Sequence, residues 1–71
     1  MLIETENKKI INTKHVFYIW IDSGKIDSCV KCELSNGEYH VIKTCKTPEE
    51  AREILEKMLN QYDRGQRVIK L

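Results

Sequence analysis

From residue 16 to residue 21 the chain reads Val-Phe-Tyr-Ile-Trp-Ile, six consecutive β-branched or aromatic residues and the strongest strand signal in the sequence. Ser23-Gly24 turns that strand. Over residues 25–34 the pattern becomes an alternation, with Ile26, Val30, Cys32 and Leu34 on one face and Lys25, Asp27, Cys29, Lys31 and Glu33 on the other, as a half-buried strand requires. Asn36-Gly37 is the pair favoured in tight primed hairpin turns, so residues 38–45 return as the next antiparallel strand. Within it Tyr39, Val41 and Cys45 alternate against His40, Ile42 and Thr44, and neither set declares itself the inner face. Before the aromatic run, residues 2–5 and 9–11 are short β-compatible pieces on either side of the polar turn Glu6-Asn7-Lys8, where Asn7 tolerates unusual backbone angles.

The period then changes from two to 3.6. Thr47 is a helix cap, Pro48 takes the first helical position where a missing N–H is harmless, and Glu50 completes a capping box. Ala51, Ile54, Leu55, Met58, Leu59 and Tyr62 follow as one apolar stripe, opposite a wet side of Arg52, Glu53, Glu56, Lys57, Asn60 and Gln61. Gly65 is placed to end the helix in a left-handed cap, and residues 66–71 form a short, basic, β-prone tail, either a terminal strand or a docking arm. These elements predict a single α+β domain over residues 1–71: an antiparallel sheet of about five strands with one helix, residues 48–62, packed on one face. The expected core is Phe17, Ile19, Ile21, Val30, Leu34, Ile54, Leu55, Met58 and Leu59.

Composition changes this picture mainly by exclusion. Seventy-one residues suffice for one small domain, and 41% apolar with 32% charged residues is a globular mix. Twelve basic against eleven acidic residues leave a net charge of +1, without the excess that draws a protein to nucleic acid, and Lys8, Lys9 and Lys14 read as a solvated edge. The longest apolar run has six residues, far short of a membrane span or a signal core, so neither membrane nor export is expected. Three cysteines without an export signal suggest reduced thiols in a host bacterial cytoplasm. The helix is acidic over residues 49–57 and the tail basic over residues 63–71, an asymmetry that suits contacts between subunits.

Candidate chemistry is sparse. Cys29-Val-Lys-Cys32 is the spacing of a zinc or redox pair, and His40 and Cys45 would complete a four-ligand zinc set. In a strand, however, positions i and i+3 point to opposite faces, and Val30-Lys31 is a poor turn. His15 and His40 lack an orienting carboxylate and a nucleophile in any recognisable pattern, Ser23, Ser28 and Ser35 lack a nucleophile elbow, and no phosphate-binding glycine loop occurs. No catalytic residue and no cofactor are expected.

The aromatic strand is more informative. If Phe17, Ile19 and Ile21 face the helix, Val16, Tyr18 and Trp20 face away, and a single helix covers only one side of a sheet. The surplus set needs internal closure, a second copy or a partner.

The order Ile10-Ile11-Asn12-Thr13, the strand over residues 16–21, Asn36-Gly37 and Thr47-Pro48-Glu49-Glu50-Ala51 before a short Leu-rich helix resembles small uncharacterised proteins of Gram-positive phages and mobile elements. That resemblance covers most of the chain in plan and implies a non-enzymatic inhibitor of a bacterial defence system, which occludes a defence protein or sequesters a nucleotide signal as an oligomer. The leading expectation is therefore a homo-oligomeric binding protein that blocks a host protein, with Tyr18, Trp20 and Tyr39 as interface or stacking residues. The alternative is a nucleotide-sequestering oligomer in which the same aromatics stack a base and Lys43, Arg64 and Arg67 contact phosphate. A structural zinc module at Cys29, Cys32, His40 and Cys45 is the second alternative.

Overall fold

The computed structural model describes residues 1–71. Strands β1 (Leu2–Glu4) and β2 (Ile10–Asn12) are followed by a 3₁₀ turn at Thr13–His15, strands β3 (Val16–Ser23), β4 (Ser28–Leu34) and β5 (Tyr39–Cys45), helix α1 (Pro48–Asp63) and strand β6 (Val68–Ile69). The α+β class and single helix agree with the sequence reading, but the single sheet of about five strands does not: there are two three-stranded sheets, β2-β1-β6 and β3-β4-β5. The reason lies at Asn12, whose side-chain oxygen accepts the Lys14 N–H at 3.0 Å. This caps a 3₁₀ turn that redirects the chain, so β2 and β3 join different sheets.

The basic tail is a strand of the smaller sheet. Val68–Ile69 pairs parallel with β1, and Ile69 is buried beside Ile3 and Ile11 in the same core as Val30, Cys32, Ile42, Cys45, Ala51 and Met58. Gln61 anchors it: its amide nitrogen donates to Lys70 O at 2.7 Å while its amide oxygen accepts Lys70 N–H at 2.9 Å. A residue assigned to the wet side of α1 is thus buried, and the inward stripe runs through Ala51, Ile54, Met58 and Gln61. Leu59, expected in the core, and Tyr62, placed on the apolar stripe, are 60% and 62% exposed. The stripe turns because the end of the chain, with its own unpaired backbone groups, must be satisfied by an amide.

The ends of α1 follow the sequence. Thr47 Oγ1 accepts Glu50 N–H at 3.2 Å, although the Glu50 carboxylate reaches back to Lys46 N–H and not to that of Thr47. Gly65 takes φ +73°, with Gln66 N–H to Gln61 O and Gly65 N–H to Tyr62 O, the two bonds of a Schellman cap.

Two bulges shape the larger sheet. Val16 pairs with Leu34 but Tyr18 pairs with Glu33, so Phe17 is the extra residue of β3. The inner face of β3 is consequently Val16, Ile19 and Ile21, and Phe17, expected in the core, is 73% exposed. On β5, Val30 opposes Lys43 and Lys31 opposes Val41, leaving Ile42 as the extra residue. This resolves the ambiguous alternation: Ile42 and Cys45 are both buried although they stand three positions apart, and Tyr39 and Val41 face outward. Ile26 lies in the turn before β4, fully outside the strand face assigned to it. The turn after β4 has Gly37 at φ +90°, with Gly37 N–H to Leu34 O, while Asn36 keeps a negative φ; it is therefore a turn closed by glycine and not the primed pair. In the first hairpin Lys8, not Asn7, takes the left-handed angle, φ +65°.

Candidate functional site

The outer face of the β3-β4-β5 sheet carries Tyr18, Trp20 and Asp22 on β3, Cys29, Lys31 and Glu33 on β4, and Tyr39 and Val41 on β5, since directly paired residues share a face. The helix and the smaller sheet cover only the opposite face. Three aromatic residues expected to act together are brought together: the rings of Tyr18 and Trp20 lie 5.1 Å apart and those of Trp20 and Tyr39 5.8 Å apart, the latter edge to face. Phe17 extends the row at 5.7 Å from Tyr18. Tyr18, Trp20, Lys31 and Tyr39 frame a shallow recess of about 470 Å³.

Polar groups hold this row in place. Glu33, paired across the strands with both Tyr18 and Tyr39, accepts a hydrogen bond from Tyr18 OH at 2.9 Å. The hydrogen bond to that carboxylate, followed by desolvation and its charge, raises the Tyr18 phenol above its ordinary pKa, and the same carboxylate raises that of Tyr39. Lys31 Nζ bonds Asp22 Oδ2 at 2.6 Å, a contact that raises the ammonium pKa. The face therefore joins aromatic rings to one anchored cation, Lys31, and two anchored carboxylates, Asp22 and Glu33. Lys31 was legible as an outward residue from the alternation of β4, but its position beside Trp20 depends on the strand register.

Lys43, Arg64 and Arg67 stand apart from this face. Lys43 lies on β5 opposite Val30, Arg64 caps α1, and Arg67 precedes β6; none of the three lines a recess of the molecule. The cysteine set is also divided. Cys32 pairs with the inward Ile19, whereas Cys29 pairs with the outward Asp22, so the two sulfurs leave the strand on opposite sides. No three His, Cys, Asp or Glu side chains converge, and Cys29, Cys32, His40 and Cys45 do not form a common site. All three thiols have raised pKa values, with desolvation as the largest cause.

The largest recess, about 670 Å³, lies elsewhere, between Lys9, Ile11, Asn12, His15, Ser35 and His40. It gathers both histidines and a serine. The only side-chain partner of His40 is Glu38, at 3.3 Å, and neither imidazole bonds the Ser35 hydroxyl, so the nucleophile-to-base contact of a hydrolase is missing. A third hollow, about 360 Å³ and almost wholly apolar, runs between the inner side of β3 and α1, lined by Ile3, Val16, Ile19, Leu55, Leu59 and Tyr62 among others. Sequence reasoning missed it because Leu59 was assigned to the core and Tyr62 to the stripe packed on the sheet.

No helix is long and apolar enough to cross a membrane. Comparison with family models, with curated proteins and with solved structures gives no match.

Proposed function

We propose that this chain is a non-enzymatic binding protein whose outer sheet face docks on a host protein and blocks it, a component of bacterial defence being the class that the phage-type resemblance implies. The observation that supports this reading is the continuous row Phe17-Tyr18-Trp20-Tyr39 on a sheet face that no other part of the chain covers. Rigid aromatic side chains flanked by hydrogen-bonded charges are the composition of an energetic centre in a protein interface, and Trp20 sits at the middle of the row.

The test is retention from a Gram-positive bacterial lysate on immobilised wild-type protein, on Trp20→Ser and on a control changed on the outer side of α1, Arg52→Ala. A protein held by wild type and by the control should be held roughly 30-fold less by Trp20→Ser, the effect of losing a hot spot. Equal retention on all three surfaces rejects the outer face as the docking site.

The recess framed by Tyr18, Trp20, Lys31 and Tyr39 favours a second reading, in which the aromatics stack a nucleotide base and Lys31 meets its phosphate. A set of cyclic nucleotides tested by thermal shift separates the two, since a ligand at a hundred times its dissociation constant stabilises by about 2.7 kcal/mol and a protein-only binder does not respond.

A further inference from the structure

The two edges of the larger sheet are finished differently. At β5, Glu6 folds against the strand: its N–H donates to Ile42 O at 2.9 Å and its carboxylate accepts the Thr44 N–H and hydroxyl at 2.5 and 2.9 Å. A side chain thus mimics a neighbouring strand and closes that edge. At β3 no strand and no such cap is present, because β3 pairs with β4 alone. Gly24 N–H bonds Asp27 O at 2.8 Å, continuing the ladder one step beyond the pair Ser23 and Ser28. Bonded and non-bonded pairs alternate in an antiparallel ladder, so Asp22, Trp20 and Tyr18 exchange bonds with β4 while Ile19 and Ile21 direct N–H and C=O to the open side.

The apolar hollow lies on that same side. Val16 and Ile19 of β3 line it together with Leu55, Met58, Leu59 and Tyr62 of α1 and with Ile3 and Ile69 of the smaller sheet, and no residue of β4 or β5 reaches it, so it lies on the β3 side of the larger sheet. An unpaired eight-residue edge, apolar or aromatic over its first six residues, above an apolar trough is the arrangement that accepts an added strand, with backbone bonds from the edge and every second side chain entering the trough.

We infer that the added strand is β3 of a second copy of this chain, paired antiparallel about a two-fold axis at Ile19. Three features select this occupant. A two-fold there lets Ile19 exchange N–H and C=O with Ile19 of the second copy, which are the groups β3 leaves open. It sets Trp20 beside Tyr18 of the second copy on the outer face, so the aromatic rows of both molecules become continuous, while the troughs, with their exposed Leu59 and Tyr62, face each other beneath the joined sheet. The charges at the ends of β3 are also complementary, since Lys14 and His15 precede it and Asp22, bound to Lys31 through only one oxygen, lies near its end; antiparallel pairing sets each basic end beside the acidic end of the other copy. The pairing is carried by the edge and the trough, with the aromatic neighbours on the outer face only adding to it, so it does not rest on the docking proposed above.

Sedimentation of the full chain over a concentration series, with hydrogen exchange at peptide resolution, tests the pairing. The expected result is a species of twice 8.4 kDa at higher concentration, with exchange slowing over residues 16–23 and around Leu59 and Tyr62 as the dimer forms and unchanged over β5. Leu59→Glu, at an exposed position, should return the 8.4 kDa species with unaltered circular dichroism, and so should a synthetic chain N-methylated at Ile19, which removes one edge donor. Trp20→Ser should remain dimeric while losing the docked partner, which separates the two proposals. An 8.4 kDa species at every concentration overturns the inference, as does a dimer that survives both Leu59→Glu and N-methylation, or one that Trp20→Ser alone dissolves.

Discussion

Ile42 and Tyr39 stand three residues apart on β5 and belong to opposite faces of one sheet: none of Ile42 is accessible, whereas 64% of Tyr39 is. On the inner face Val30, Cys32 and Ile42 pack against Ala51 and Met58 of α1, and every buried side-chain polar atom has a partner. On the outer face the larger side chains, Tyr18, Trp20 and Tyr39, touch one another and nothing above them. The difference teaches that size and apolarity do not decide which face is the core. Coverage does, and coverage was settled by where the one helix and the small sheet could attach.

The largest effect that would break this comparison is a matched pair of truncations. Ile42→Ala should lower the unfolding free energy by about 2–5 kcal/mol, the cost of the lost transfer energy plus a cavity that a tightly packed interior closes incompletely. Tyr39→Ala should change it by no more than about 1 kcal/mol, the worth of its edge-to-face contact with Trp20. Guanidinium titrations followed by circular dichroism measure both. If Tyr39→Ala costs as much as Ile42→Ala, the outer row stabilises the fold itself and is no free surface.

Much of this was readable from the sequence, and the failures have two causes. Helix α1 was legible at both ends because Thr47, Pro48 and Gly65 act through local backbone chemistry that no distant contact can override. The outward pair Tyr18 and Trp20 followed from alternation, as did the separation of Cys29 from Cys32, whereas the face of Tyr39 was open until the register of β5 was known. Phe17 and Ile42 were not predictable because each is the added residue of a bulge, which shifts the phase of alternation by one without any Gly or Pro to mark it. Leu59, Tyr62 and Gln61 were misassigned because the stripe on α1 is set by β6, a two-residue strand whose parallel pairing with β1 is a contact between the two ends of the chain. Periodicity carries no information about such a contact.

Gln61 sharpens the comparison at the next level, since it is a polar residue on the buried side. Gln61→Leu keeps roughly the same bulk but leaves Lys70 N–H and C=O without partners, and it should cost about 1–3 kcal/mol while accelerating amide exchange at β6. Stability equal to wild type would mean that the tail detaches without loss and that Ile69 adds little to the core. A smaller effect is expected at the closed edge of the larger sheet: Glu6→Ala removes two side-chain hydrogen bonds to Thr44 and should cost about 1 kcal/mol, visible as faster exchange of the Thr44 amide. It also creates a second open edge, so any new concentration-dependent association in this variant would measure how well Glu6 prevents strand addition.

The three cysteines give the finest test, because their thiols report on each face of the unaltered chain. Cys29 is partly exposed on the outer side while Cys32 and Cys45 are buried. An exposed-thiol reagent should therefore modify Cys29 in the folded protein and reach the other two only through opening of the inner layer, at rates that follow global stability. Desolvation raises all three thiols above their ordinary pKa of 9.0, so the folded chain holds these protons more tightly than the unfolded chain does. The corresponding stability is fully present below about pH 9.0 and is lost as pH rises through the folded pKa values. Cys32→Ala should flatten that alkaline decline just above pH 9.0, before the phenols of Tyr18 and Tyr39, whose raised values start from 10.0, begin to contribute in the same direction. If the decline between those two values is unchanged in Cys32→Ala, the inner face is wet enough to ionise its thiol without opening, and the contrast between the two faces is one of exposure at the surface alone.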